Sequence, residues 1–180
     1  MEELIDKAKN GDKEAFSIII STIDAELYRI AELRLSNKDD ILDVIQETII
    51  TAFKSINKLK HNEYFKTWII RILINQSNNF YRQKYRRNII SFEEIENSSE
   101  NSLYDIEKVD EVLDFNFICK NLKYEDKIII TLYYMEKFTD KEIGKILKIK
   151  AKTVTTRRTR AKEKIKNWLK GGKENEWWFW

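Results

Sequence analysis

Proline is absent from this sequence, and glycine occurs only four times in 180 residues. Proteins rich in β-structure need Pro and Gly for their many turns, and phosphate-binding loops need Gly for close approach of the backbone. The chain is long enough for one ordinary domain or two small ones. We therefore predict an all-α protein made of two small helical domains.

Cysteine and histidine are equally scarce, with one residue of each. A single Cys cannot close a disulfide within the chain, and one Cys with one His cannot build a zinc cluster. No other set of residues indicates a catalytic centre, although enzymes that use other residue types are not excluded. We therefore predict no catalytic residue, no metal or other cofactor, and no small-molecule substrate.

Long apolar runs are also missing. No stretch of the sequence approaches the roughly 18 consecutive apolar residues of a membrane-spanning helix. The N-terminal sequence MEELIDKAKNGDKEAF has no apolar segment behind a basic start, so it does not resemble a signal peptide. We expect a cytoplasmic protein.

The formal net charge of +3 conceals a strong segregation of charge along the chain. No acidic residue occurs at positions 65–91, whereas several basic ones do, and at positions 93–111 many acids face only Lys108. Positions 148–170 are again strongly basic, with Glu163 as the only acid. Basic segments of this kind favour a polyanionic partner.

A stretch rich in Ser and Asn, ENSSENS at 96–102, lacks apolar periodicity and has the composition of a solvated linker. We therefore predict an acidic linker at 91–108, between a first domain at 1–90 and a second domain at 109–170. An aromatic tail at 171–180 ends in WWFW. We expect this tail to be buried, because soluble proteins seldom expose such apolar patches.

Apolar residues recur at three-and-four spacing through the first domain, which indicates amphipathic helices. We predict two helices between residues 3 and 35, joined by a turn at residues 10–11. A third helix is predicted from about Asp39 to Leu59, and a fourth from about Glu63 to Tyr85.

The second domain ends in a pattern typical of a helix-turn-helix. Thr139 and Glu142 form a predicted capping box at the start of a short helix. A tight turn then leads to a long basic helix that includes AKTVTTRRTRAKEKIK. On a helical wheel a narrow apolar stripe, Val154, Ala161, Ile165 and Trp168, lies away from a polar face, Thr155, Thr156, Thr159 and Arg160.

This polar, cationic face suits a polyanion that presents hydrogen-bonding groups on accessible base edges, as DNA does in its major groove. The alternative is that a Lys-rich helix is only a solvated surface. The near absence of acids and the capped helix before it favour DNA binding.

Several motifs occur in one order along the chain. DVIQET at 43–48 and FKTWIIRILIN at 65–75 are followed by NNFYRQKYRR at 78–87 and by KTVTTRRTRAKEKIK at 152–166. In this order and spacing the chain resembles a bacterial extracytoplasmic-function (ECF) RNA polymerase sigma factor. The resemblance covers nearly the whole chain and leaves out only GGKENEWWFW.

The resemblance implies an alternative sigma factor that binds core RNA polymerase and promoter DNA and directs promoter-specific transcription initiation. The first domain is then similar to sigma domain 2, which melts the -10 element. The second is similar to sigma domain 4, whose helix-turn-helix recognises the -35 element. An anti-sigma factor, which in this family is often membrane-anchored, is a further implied partner.

The resemblance also assigns three sets of site residues. The polymerase-binding set lies on the DVIQET helix, for which the alternative is a solvent-exposed helix face that binds no partner. The polymerase-binding set is Asp43, Gln46, Glu47, Ile49 and Phe53; the -10 set is Asn75, Asn79, Arg82, Lys84, Arg86 and Arg87; and the -35 set is Lys152, Thr153, Thr155, Thr156, Arg157, Thr159 and Arg160.

Physical chemistry supports part of the -10 assignment. Amide side chains can hydrogen-bond to the polar edge of an extruded base, and cations can hold the phosphates of the strand. Phe65 and Trp68 lie at helical spacing beside Ile69, so we predict that they belong to the core and do not stack on bases. The acidic linker resembles the segment that threads the polymerase cleft, and an extended, self-repelling spacer explains it equally well.

Three positions depart from the family pattern. Leu42 stands where the family often has an acid, which alters the edge of the polymerase contact. Arg158 stands where Leu or Ile is usual, so its stem should run along the core and its guanidinium emerge at the edge. Thr155 replaces a frequent Arg or Lys, which shifts the expected readout from guanine toward thymine methyls and backbone geometry.

A stand-alone, two-domain DNA-binding regulator is the alternative function. It explains the second domain equally well. It does not explain why the first domain carries both a polar-faced DVIQET helix and a second helix rich in Asn and cations. We therefore prefer the sigma-factor interpretation.

Overall fold

A computed structural model describes residues 1–86, 118–119 and 121–171. Every regular element within these residues is helical, which confirms the predicted all-α class. The described residues form two compact units, the first built on residues 1–86 and the second containing most of the later ones. The predicted linker at 91–108 and the tail from residue 172 onward lie outside the described residues.

Five α-helices and two short 3-10 turns make up residues 1–86. Asp12 and Asn37 begin two of the helices, because each side-chain oxygen accepts a hydrogen bond from a backbone N–H three residues later. The helices are α1 (Glu2–Lys9), α2 (Lys13–Ser21), α3 (Asp24–Glu32), α4 (Lys38–Ser55) and α5 (Phe65–Arg86), and the 3-10 turns span Ile56–Lys58 and Asn62–Tyr64.

The prediction of a single helix after the turn at residues 10–11 is wrong, because the chain breaks between α2 and α3. The hydroxyl of Thr22 donates to the carbonyl oxygen of Ile19 at 2.7 Å. The backbone N–H groups of Thr22 and Ile23 bond three residues back, and Ile23 has φ −125°. Threonine side chains that bond to nearby carbonyls compete with the helix, so local chemistry ends α2 although the apolar pattern continues.

The core of the first unit is built from apolar faces of all five helices. α4 packs against both α3 and α5, and α1 packs against α2. Burying each large apolar side chain contributes about 1.5–3 kcal/mol. This packing secures one side of α4 and α5 and leaves their other side exposed. The fully buried side chains include Ile5, Ile19, Leu27, Ile30, Leu35, Ile69, Ile70 and Leu73.

The described part of the second unit contains three α-helices and one π-helical turn. The helix Tyr124–Ile130 packs against the long helix Ala151–Gly171, and a cluster that includes Cys119, Leu122, Ile130 and Ala161 forms part of the core. The helices are α6 (Tyr124–Ile130), α7 (Asp140–Leu147) and α8 (Ala151–Gly171), and the π-helical turn is Thr131–Met135.

The predicted capping box at the start of α7 is confirmed. The backbone N–H of Thr139 donates to a carboxylate oxygen of Glu142 at 2.8 Å, and the N–H of Glu142 donates to the hydroxyl of Thr139 at 3.3 Å. Two N–H groups that the helix leaves unpaired are thereby satisfied.

A close backbone approach makes the turn between α7 and α8. A Cβ on Gly144 would lie 2.8 Å from the carbonyl oxygen of Ile149, and the N–H of Ile149 donates to the carbonyl oxygen of Gly144 at 3.0 Å. Lys148 in this turn has φ 56°, in the left-handed region. Glycine is therefore needed at position 144, and the turn brings α7 onto the start of α8 as in a helix-turn-helix.

Candidate functional surfaces

The exposed side of α4 carries most of the predicted polymerase-binding set. Asp43, Gln46 and Glu47 are exposed, and Ile49 is half-buried. Phe53 is also half-buried, because its ring packs edge-on against Phe16 with ring centroids 5.1 Å apart. The three polar residues are thus available to a partner, whereas Phe53 already contributes to the packing of α2 against α4.

Two apolar residues on the same exposed side were not in the predicted set. Leu42 is 48% exposed and Ile50 is 37% exposed. With Gln46 between them they stand four residues apart, so the three side chains form one line along the helix. A helical wheel could have placed Ile50 outside the buried stripe of Ile41, Val44 and Ile45. The exposed face of α4 therefore combines acids, an amide and two aliphatic side chains.

The predicted -10 residues on α5 differ in how their side chains are engaged. Asn75 and Asn79 are exposed, as is Arg82. The guanidinium of Arg82 donates to the amide oxygen of Asn79 and, at 3.3 Å, to the carbonyl oxygen of Asn78. This bond engages the amide oxygen of Asn79 and does not involve its amide nitrogen. The side chain of Arg86 and the whole of Arg87 lie outside the described part of the chain.

Lys84 belongs to the predicted -10 set, but its ammonium is paired with an acid of the same unit. The nitrogen lies 2.6 Å from each carboxylate oxygen of Asp40 on α4.

Phe65 is buried, which confirms its predicted place in the core, and Trp68 is half-buried against it.

The polar face predicted on α8 is exposed as expected. Val154 and Ala161 are fully buried, and Ile165 is half-buried. The stripe prediction is wrong at its end, since Trp168 is 37% exposed. The exposed members of the -35 set are Lys152, Thr153, Thr155, Thr156, Thr159 and Arg160.

Threonine hydroxyls on this face are bonded to the backbone of their own helix. Thr156 donates to the carbonyl oxygen of Lys152 at 2.9 Å, and Thr159 donates to that of Thr155 at 3.0 Å. Each hydroxyl proton is therefore in use within the helix. What remains for a nucleic acid is the methyl group and the acceptor lone pairs of each threonine.

Two arginines on α8 are held by acids of the same unit. Arg157, in the predicted -35 set, places its Nε 2.9 Å from Oδ1 of Asp126, which is buried. Arg158 binds Asp140 through Nε and Nη2, both at 3.0 Å, and its guanidinium carbon lies 3.9 Å from the centre of the Tyr133 ring. The side chain of Arg158 is largely covered by the unit, as predicted. Its guanidinium is held by Asp140 and the ring of Tyr133 and is not available to another partner.

The ion pair of Asp140 with Arg158 perturbs both groups in the direction that stabilises their charges. The guanidinium of Arg158 hydrogen-bonds to Asp140 and lowers the pKa of that carboxyl, and the hydroxyl of Thr155 lowers it further. The same carboxylate raises the pKa of Arg158.

Elsewhere in the unit, burial raises the pKa of the Cys119 thiol to about 11, so at neutral pH the thiol stays protonated and is a poor nucleophile.

Over the residues that the structure describes, no group of three or more His, Cys, Asp or Glu side chains could hold a metal ion. No helix in the same residues is both long and apolar enough to span a bilayer.

Comparison with known families and proteins agrees with this arrangement of helices. Residues 20–87 match Sigma-70 region 2, and residues 120–165 match Sigma-70, region 4. The RNA polymerase sigma factor SigV of Bacillus subtilis is 30% identical over 157 residues, covering 86% of this chain and 91% of SigV. The ECF RNA polymerase sigma-E factor of Haemophilus influenzae is 29% identical over 180 residues, covering 92% of this chain and 93% of that protein.

Two solved structures share the fold. CnrH, solved in complex with the cytosolic domain of CnrY, superposes with a TM-score of 0.69 at 18% identity, covering 96% of this chain and 98% of CnrH. The sigma factor RpoE of Bartonella quintana, solved with the anti-sigma factor NepR, superposes with a TM-score of 0.72 at 21% identity, covering 86% of this chain and 96% of RpoE. The chain therefore belongs to the ECF RNA polymerase sigma factors, proteins that direct promoter-specific transcription initiation and catalyse no reaction of their own.

Proposed function

We propose that the two units divide the work of promoter recognition. The first docks on core RNA polymerase through the exposed face of α4 and melts the -10 element with α5. The second recognises the -35 element with α8. The observation that carries this proposal is the different character of the exposed helix faces, mixed acidic and aliphatic on α4 but polar and cationic on α5 and α8.

Polymerase docking is supported by the exposed line of Leu42, Gln46 and Ile50 beside Asp43 and Glu47. Aliphatic side chains surrounded by polar ones are typical of a protein interface, in which apolar contacts lie at the centre and polar contacts at the rim. The helix behind this face is fixed by its packing on α3 and α5, so docking requires no rearrangement of the core.

Contact with the -10 element is supported by the exposed amides and cation of α5. Asn75 and the amide nitrogen of Asn79 can bond to a base edge, and Arg82 can contact a phosphate. Lys84 could join them only if its ion pair with Asp40 opened. A base taken out of the stack exposes the edge that these amides would read.

Recognition of the -35 element is supported by α8, whose exposed face carries threonines and Arg160. No hydrogen bond or ion pair within the described residues engages Arg160. An exposed, unengaged arginine on a helix-turn-helix is the residue type that most often reads guanine, and threonine methyls suit thymine. Arg157 and Arg158 do not have this freedom, because their guanidinium groups are bonded to Asp126 and Asp140.

An anti-sigma factor is the partner that we propose to regulate the protein. Support comes from the two structural relatives, whose structures were solved with CnrY and with the anti-sigma factor NepR. We further propose that the protein acts in the cytoplasm, where core polymerase and promoter DNA are found.

Transcription in vitro tests the main proposal directly. The purified chain is combined with core RNA polymerase on the DNA upstream of its own coding region, since many members of the family act on their own promoter. We expect a defined transcript with both components and none with either alone. Specific duplex binding by the chain alone, without any stimulation of core polymerase, would instead indicate a stand-alone regulator.

A further inference from the structure

Three hydrogen bonds from α8 converge on one carboxylate at the start of α7. Oδ1 of Asp140 accepts from Nε of Arg158 at 3.0 Å, and Oδ2 accepts from Nη2 of Arg158 at 3.0 Å. The hydroxyl of Thr155 lies 2.6 Å from the same Oδ2. Because Thr155 and Arg158 are three residues apart, they share one side of α8, and a single acid reaches both.

The guanidinium of Arg158 is held on two sides. The carboxylate of Asp140 occupies one edge in a bidentate pair, and the face of the group lies over the ring of Tyr133 at 3.9 Å. The side chain is only 20% exposed. An arginine that is both paired and stacked has little freedom to reach a second partner.

These contacts determine which chemical groups α8 offers to DNA. Thr155 is exposed, but its hydroxyl proton is directed to Asp140 or to the carbonyl oxygen of Ala151 at 3.1 Å. Arg158, close to the same face, is the residue type that would bond in bidentate fashion to guanine. The positive charge of Arg158 offsets the negative charge of Asp140. Asp140 therefore repels the phosphates of DNA bound at the neighbouring face less than an unpaired acid would.

We infer that Asp140 is a specificity-determining positioning residue, which withholds the donors of Arg158 and Thr155 from the -35 element and leaves the reading to the neighbouring side chains. Asp140 itself touches no base. The inference rests on the proposed role of α8 in -35 recognition. It predicts that losing this acid changes which sequence is preferred, beyond any loss of stability.

The test uses holoenzyme, assembled from core polymerase and the full chain, on a promoter library randomised across the -35 element. The parent is compared with Asp140→Ala and with the double variant Asp140→Ala, Arg158→Met. We expect Asp140→Ala to enrich guanine about tenfold at one position where the parent shows no such preference, as a freed arginine would. The double variant should lose that enrichment.

Glu142→Ala is the matched control, because Glu142 also belongs to the first turn of α7 and its carboxylate bonds to Thr139 and not to α8. It should lower thermal stability without changing base preference. If Asp140→Ala does not fold, Asp140→Asn serves instead, since it keeps the shape of the side chain but lacks the charge that holds Arg158. It should shift the preference in the same direction by a smaller factor.

Each outcome decides between the alternatives. A folded Asp140→Ala or Asp140→Asn protein with the parental base preference would overturn the inference, and so would a guanine enrichment that persists in the double variant. A parent that shows no preference across the -35 element would instead overturn the proposed role of α8, and the inference with it.

Discussion

The ammonium of Lys84 lies 2.6 Å from both carboxylate oxygens of Asp40 and so joins α5 to α4. Asp40 is only 6% exposed, whereas about half of the Lys84 side chain is accessible. The pair therefore supplies a buried carboxylate with the partner it needs in place of water. It also links the helix proposed to contact the -10 element with the helix proposed to dock on polymerase.

Replacing Lys84 is expected to cost folding stability. Lys84→Gln leaves the buried carboxylate of Asp40 without its cation, and an unsatisfied buried group costs about 1–3 kcal/mol. The exposed Arg82 is the control, and Arg82→Gln should change stability by less than about 0.5 kcal/mol while weakening open-complex formation. Urea unfolding of the three proteins measures the difference. Equal stability of the two variants would show that the Asp40 pair contributes little.

Reversing the charge of Glu47 is expected to weaken the binding of core polymerase. The side chain is exposed on α4, so Glu47→Lys should leave the free energy of unfolding within about 0.5 kcal/mol of the parent. Glu14→Lys, at an exposed acid of α2, provides the same charge reversal on another helix. Affinity for core enzyme is measured for all three proteins. If folded Glu47→Lys binds as tightly as Glu14→Lys, the proposed docking face is wrong.

Arg160 and the lysines that follow it are expected to contribute differently to DNA binding. Arg160→Ala should cost about 1–3 kcal/mol on the preferred -35 element and much less on a scrambled one, because its guanidinium can reach base edges. Lys162→Gln or Lys164→Gln should weaken binding alike on both templates and reduce the salt slope by about one unit. Open-complex formation across a salt series separates these outcomes. Equal losses for Arg160→Ala on both templates would limit that residue to backbone contacts.

Two substitutions in the helix-turn-helix, one in α7 and one in the turn after it, are expected to have opposite effects on stability. Gly144→Ala places a Cβ 2.8 Å from the backbone oxygen of Ile149 and should cost about 1–3 kcal/mol. Lys148→Gly should stabilise by up to about 1 kcal/mol, because glycine adopts φ 56° without strain. Thermal unfolding monitored by circular dichroism compares both with the parent. A neutral Gly144→Ala would mean that the turn can widen.

The ion pair of Asp140 and Arg158 is expected to make stability depend on acid pH. Because hydrogen bonding to Arg158 lowers the pKa of Asp140 below its ordinary value of 3.8, the folded state binds this proton less readily than the unfolded state. The stabilisation is therefore complete above pH of about 3.8 and is lost as the pH falls through the lower, folded-state value. Thermal midpoints of the parent should fall more steeply below pH of about 4 than those of Asp140→Asn. Parallel curves would show that the pair contributes no pH-dependent stability.

Sequence periodicity was sufficient to predict several features of the fold. The all-α class, the long helices α4 and α5 and the capping box of Thr139 with Glu142 depend on residues near one another in the chain. Their physical causes are equally local: apolar spacing, helix caps and the absence of proline. The motif order was likewise sufficient to indicate the family that the comparisons show.

Only the tertiary structure decided which cations are available to a partner. Arg157 meets Asp126, 31 residues away, Arg158 meets Asp140, 18 residues away, and Lys84 meets Asp40, 44 residues away. In the sequence these side chains look the same as Arg160 and Arg82. A basic residue binds whichever acid the packing of distant helices brings within reach, and no local pattern encodes that distance. The sequence therefore determines which helices are cationic, and the packing of those helices determines which of their charges remain for DNA.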